Sequence, residues 1–167
     1  MKQLKNYLKV FQNEAKGFFL IEVIVVSAVI GTVLIFLLGS IQNSVEASQR
    51  SLERTQAAYL LEEGFEIVKA IRNQSNGWQT ITNLAVGTNY YANWTGSVWT
   101  LTTVPTQTGI FTRTIVKANV LRDSNDDISS SGTADLGTMQ FTNTVVWQSP
   151  SGTKTETLSF YISNINE

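Results

Sequence analysis

Residues 23–41 form an unbroken run of nineteen residues without a charge, and Ser27, Thr32 and Ser40 are its only polar side chains apart from glycine backbone. About twenty apolar residues cross the hydrocarbon core of a bilayer as a helix. A helix buried inside a soluble domain is seldom apolar on every side over that length. The run is therefore expected to span a membrane. Within residues 1–17, Lys2, Lys5, Lys9 and Lys16 stand against Glu14 alone, which places the N-terminus on the cytoplasmic side. The run is too long for a secretory signal peptide, and Val45-Glu46-Ala47 beyond it is a poor cleavage site.

The composition excludes most catalytic chemistry. The 167 residues contain no Cys and no His, so thiol nucleophiles, thiolate metal sites, disulfides and imidazole bases are absent. Beyond residue 17 the chain carries 8 Lys and Arg against 12 Asp and Glu, which argues against a nucleic-acid partner. No phosphate loop or catalytic triad is present.

Nothing ends the helix at the membrane boundary. Between residues 42 and 73 there is no Pro, and Gly64 is the only Gly. Val45, Leu52, Leu60, Leu61, Phe65, Val68 and Ile71 recur at helical spacing, with charged residues between them. Asn76-Gly77 reads as the C-terminal stop. From Trp78 the period becomes two. Strands are expected at 112–121, with Val116, Ala118 and Val120 on one face, and at 139–147, with Met139, Phe141, Val145 and Trp147. A third is expected at 154–162, with Leu158, Phe160 and Ile162. Ser149-Pro150-Ser151-Gly152 turns the last two into a hairpin. Weaker strands are expected at 78–84, 90–94 and 98–103, and 123–137 reads as a polar excursion. The expected fold class is α+β: one long N-terminal helix packed on a small antiparallel sheet.

Glu22 stands at the cytoplasmic end of the apolar helix, where a carboxylate is costly once it is buried without a cation. The string Lys16-Gly17-Phe18-Phe19-Leu20-Ile21-Glu22-Val23 resembles the type IV prepilin signature. The resemblance implies cleavage between Gly17 and Phe18 by a prepilin peptidase and methylation of the new Phe18 amine. It also implies pairing of Glu22 with the amine of a neighbouring subunit during filament assembly. Residues 1–17 are then the leader and 18–41 the membrane and assembly helix. Residues 42–75 are its amphipathic continuation, and 76–167 an extracytoplasmic β domain. The implied partners are the peptidase, other pilins in a helical filament, the inner-membrane assembly machinery and membrane lipid. Removal of the lysines would leave an ammonium and a carboxylate of opposite charge at similar depth in adjacent helices, where the low dielectric strengthens their attraction.

The stretch 57–66 (AAYLLEEGFE) is similar to minor pilins of the PilV-like kind and to type II secretion pseudopilins. The first Pro is Pro105 and there is no Cys, so the mid-helix Pro and the C-terminal disulfide of many major pilins are missing. The leader is longer than the shortest of its kind, and Phe19 replaces a small or polar residue. These departures point to a minor pilin or pseudopilin. The alternative is a single-pass, membrane-anchored β binding domain that never polymerises.

Other patterns are weaker. Asp123, Asn125 and Asp127 alternate as oxygen donors, as calcium prefers, yet Ile128 and Ala134 break the EF-hand pattern. A polar turn is the simpler reading, and no cofactor is otherwise expected. Tyr90, Tyr91, Trp94 and Trp99 could bind a sugar or a partner, although aromatic residues in short strands are more often core. Arg113 and Lys117 share a strand face, with Arg122 nearby. Gly31, in mid-span, either loosens the helix or allows close helix packing.

Overall fold

The computed structural model describes the backbone of residues 2–164 and the side chains of residues 19–164. The chain divides into two units, Met1–Gln49 and Arg50–Glu167. The first consists of the N-terminal part of helix α1 (Lys2–Arg72). From Phe19 to Ile41 its side chains are exposed, apart from half-buried Gly31. This is one helix long and apolar enough to cross a membrane.

The second unit holds the rest of α1, a short helix α2 (Gly77–Thr82) and strands β1 (Asn89–Trp94), β2 (Trp99–Thr102), β3 (Gln107–Thr108), β4 (Phe111–Arg122), β5 (Ile128–Ser129), β6 (Thr133–Ser149) and β7 (Gly152–Ser163). All pairings are antiparallel. The sheet runs in the order β2-β1-β4-β6-β7, with β3 and β5 added to β4. The protein is thus α+β, a long helix packed on an antiparallel sheet.

Helix and sheet match in length. Glu53 meets Trp147, Leu61 and Gly64 meet Asn143, and Ile71 shares a core with Met139. From residue 53 to 71 the helix rises about 27 Å, and from 147 to 139 the strand covers about 27 Å. The helix therefore runs along β6, antiparallel to it and parallel to β7. Its buried stripe is Ala57, Leu61, Gly64, Ile67, Val68 and Ile71. The expected stripe began too early: Val45 is 52 % and Leu52 59 % exposed, because the sheet starts to cover α1 only near Glu53.

The core forms two clusters. Ala57 and Leu61 pack with Phe111, Val145 and Trp147. Ile67, Val68 and Ile71 pack with Ile81, Ile115, Met139, Phe141 and Ile162. Phe65 meets Phe160 edge to face at 5.0 Å, a favoured aromatic geometry.

The β6–β7 hairpin is as expected. Ser149 pairs with Gly152 around Pro150-Ser151, and the ladder continues without a shift to Thr138 and Ser163. Three other expectations are corrected. Residues 78–84 are not a strand, because α2 lies there. Asn76 adopts the left-handed region (φ 57°), Thr80 donates to its carbonyl, and Ile81 is fully buried under the resulting turn. A side chain at Gly77 would collide with the Ile71 and Arg72 carbonyls, so close approach of the turn overrides the β preference of Trp78 and Ile81.

On β4 the inward face is not Val116 and Ala118. Phe111, Arg113, Ile115 and Lys117 face α1, opposite Trp147, Val145, Asn143 and Phe141. Between Asn119 and Val120 the partner jumps from Met139 to Asp135, which breaks the alternation and leaves Val120 buried. Within 123–137, β5 and the start of β6 add short ladders at each side of the polar turn.

Candidate functional site

The site indicated by the sequence lies at the start of the apolar helix. Gly17 and Phe18 fall within the helical backbone of α1, and their side chains lie outside the described ones. The same holds for the lysines of residues 1–17. Glu22 is exposed, one turn into the described side chains, beside exposed Phe19, Leu20 and Ile21. Among the described residues no hydrogen bond or ion pair involves Glu22.

Two of the three polar side chains of the apolar run, Ser27 and Thr32, are satisfied within their own helix. Ser27 Oγ donates to the Val23 carbonyl at 2.7 Å, and Thr32 Oγ1 to the Ala28 carbonyl at 2.8 Å. Ser44 Oγ does the same to Ser40 at 2.9 Å. Such bonds remove the penalty of an unpaired hydroxyl in hydrocarbon. A carboxylate has no proton to donate and finds no such relief in its own helix. Glu22 is thus the charged group on this surface whose demand its own helix does not meet. A Cβ on Gly31 or Gly39 would meet open space, so neither glycine is required by packing within the chain.

In the second unit, the functional side chains hold helix to sheet. Arg113 Nη1 donates to Glu63 Oε2 at 2.6 Å and to the Leu60 carbonyl at 3.1 Å. Asn143, fully buried, donates from Nδ2 to the Leu61 carbonyl at 2.8 Å. Trp147 Nε1 donates to Glu53 Oε2 at 3.0 Å. Lys117, 4 % exposed, donates from Nζ to the Thr82 carbonyl and to that of Leu84 at 3.1 Å. Burial lowers the Lys117 ammonium from the usual lysine range. Arg113 and Lys117 do share a face, but it is the inner one, and both cations are engaged within the domain. The sequence signal for Asn143 was its interruption of the apolar register Met139, Phe141, Val145, Trp147.

The loop of Asp123, Asn125 and Asp127 folds on itself. Asp123 Oδ1 accepts the Asn125 and Asp127 backbone N–H groups at 2.8 and 3.1 Å, an Asx turn. Asp126 occupies the left-handed region at φ 66°. Beside it Arg122 Nε donates to Asp135 Oδ2 at 2.7 Å, and Arg122 Nη1 to the Asp126 carbonyl at 2.7 Å. The Asp135 carboxyl is held below the usual range, first by the Arg122 bond and then by Thr138 and the Gly137 N–H.

The four aromatic residues do not form one cluster. Tyr90 is buried, its hydroxyl accepting the Ala85 N–H at 2.9 Å, whereas Trp94 and Trp99 pair across β1 and β2 with ring centroids 5.2 Å apart and planes tilted by 55°. Comparison with family models, with curated proteins and with solved structures returns no match.

Proposed function

We propose that this chain is a structural subunit, a minor pilin or pseudopilin, of a type IV pilus or a type II secretion filament. It is made with residues 1–17 as a leader and inserted with its N-terminus in the cytoplasm. A prepilin peptidase trims it between Gly17 and Phe18, and the new Phe18 amine is methylated. Residues 18–41 then pack among those of neighbouring subunits, while the sheet domain remains outside. The chain itself catalyses no reaction in this reading, and the reading uses no cofactor.

The observation that carries the proposal is the state of Glu22. It is an exposed carboxylate on a run of helix that otherwise carries no charge, and among the described residues nothing pairs with it. Such a surface suits lipid before assembly and other apolar helices afterwards. Only the second setting brings a cation to the acid, because each processed subunit carries a new ammonium four residues away. Removing either partner would leave a buried, unpaired charge, at a cost of about 3–5 kcal/mol.

Intact-mass analysis of protein made with its native membrane machinery tests this. The expected species lacks residues 1–17 and carries one methyl group on Phe18. A stable membrane-bound form that retains the leader would overturn the proposal in favour of an anchored domain that does not polymerise.

A further inference from the structure

Asn76-Gly77 is the single Asn-Gly pair of the chain. This dipeptide is especially prone to spontaneous loss of ammonia, because glycine has no side chain to hinder attack by its own backbone nitrogen. The Gly77 nitrogen attacks Asn76 Cγ. The N–Cγ bond forms, the Cγ–Nδ2 bond breaks, and the Gly77 amide proton leaves with Nδ2 as ammonia. Water then opens the cyclic imide at either of its carbonyls. One product is aspartate. The other is isoaspartate, whose main chain runs through the former side chain and is longer by a carbon atom. Asn76 is exposed, and its side chain makes no capping hydrogen bond to α2.

The backbone nevertheless holds the reaction shut. Asn76 lies at φ 57° and ψ 21°. That ψ turns the Gly77 nitrogen away from the Asn76 Cβ, so side-chain rotation alone does not bring the reacting atoms together. The Gly77 N–H donates to the Gln74 carbonyl at 2.8 Å, and Gly77 is buried. Its nitrogen is thereby kept from the base that must take its proton. The Asn76 carbonyl is fixed in turn by the Thr80 N–H at 3.0 Å and the Thr80 hydroxyl at 3.1 Å. Ring closure therefore requires the turn to open.

We infer that Asn76 is a modification site gated by this turn, and that its isoaspartate product cannot rebuild the turn and so releases α2. Even a Cβ on Gly77 would collide with the Ile71 and Arg72 carbonyls, which leaves no room for an inserted backbone carbon. Much of the neighbouring core depends on that fit. Ile81 on α2 is fully buried beside Ile71 and Ile115. The Thr82 and Leu84 carbonyls accept the buried Lys117 ammonium. Release of α2 would uncover an apolar side chain and strip a buried cation of its acceptors. Aspartate at the same position keeps the backbone length, and its short polar side chain tolerates the left-handed region. The site lies within the second unit and is independent of whether the chain polymerises.

The test ages the full chain in detergent micelles at mildly alkaline pH, with and without urea above the unfolding midpoint. Peptide mapping by mass spectrometry with electron-transfer fragmentation follows aspartate and isoaspartate at position 76. Conversion is expected to be slower in the folded protein by about a hundredfold or more, since only the opened turn reacts. The isoaspartate form, separated by ion exchange, is then compared with Asn76→Asp, which carries the same charge on an unaltered backbone. The Thr80, Asn83 and Leu84 amides, which close α2 and its end, should exchange at least about tenfold faster in the isoaspartate form. Equal conversion rates with and without urea, or no isoaspartate in urea, overturn the gating. Equal exchange in the two forms, whether both are protected or both are open, overturns the release of α2 by the inserted carbon.

Discussion

The Asn143 side-chain amide occupies the space that a Cβ on Gly64 would require, and from there it donates to the Leu61 carbonyl at 2.8 Å. The pair sits where the two core clusters meet, with Leu61 and Val145 on one side and Ile67 and Phe141 on the other. Glycine in a helix interior costs about 1 kcal/mol relative to alanine. Here that cost permits a fully buried amide to reach the helix backbone and fix its register on β6.

Gly64→Ala should therefore destabilise the domain in spite of its better helix propensity. The new methyl must displace a buried side chain, and overpacking of this kind costs about 1–3 kcal/mol. Adding Asn143→Ala removes the obstacle, so the double variant should lose less than the sum of the two single losses. Urea midpoints followed by Trp fluorescence in micelles give both values. Strict additivity would show that the contact does not set the packing.

Lys117 makes stability depend on pH at the alkaline end. Its folded pKa is lowered by burial, so between that value and the usual range near 10.4 the unfolded chain binds the extra proton. Stability should rise with pH across this window relative to Lys117→Met, which has no such slope. At neutral pH the same variant leaves the Thr82 and Leu84 carbonyls without their donor and should lose about 1–3 kcal/mol. Parallel urea midpoints for the two proteins from pH 8 to 10.5 measure both effects.

Asp135 acts at the acid end with the familiar sign for a carboxylate. Its folded pKa is depressed, chiefly by Arg122, so the stabilisation is complete above the unfolded value near 3.9. It is lost as pH falls through the lower folded value. Asp135→Asn should flatten the acid limb of the stability profile while leaving β7 protected at neutral pH. An acid limb identical to wild type would mean that other carboxylates govern it.

Glu22→Gln tests the proposed assembly role of this residue without touching the sheet domain. The variant should keep the wild-type urea midpoint, since no described side chain pairs with Glu22, and should fall by more than tenfold in its incorporation into filaments. Normal incorporation would remove the pairing from the mechanism, although processing at Gly17 could still occur.

Much of the architecture was legible because it rests on local periodicity. The charge-free run, the uninterrupted helix after it and the hairpin around Pro150-Ser151 each follow from patterns a few residues long. The errors fell where a distant contact decided the outcome. Trp78 and Ile81 favour strand in isolation, yet Gly77 packs beneath the end of α1 and turns that segment into α2. Val116 and Ala118 looked inward because Val120 is inward, and the register jump at Asn119 separates the two sets.

The sequence alone determined the apolar span, the single acid upon it and the long helix that continues past it, since hydropathy and the lack of helix breakers are properties of neighbouring residues. Tertiary structure decided which cations turn inward and why the helix needs Gly64. Those outcomes depend on side chains separated by dozens of residues meeting across a helix–sheet interface, and local pattern carries no record of that distance.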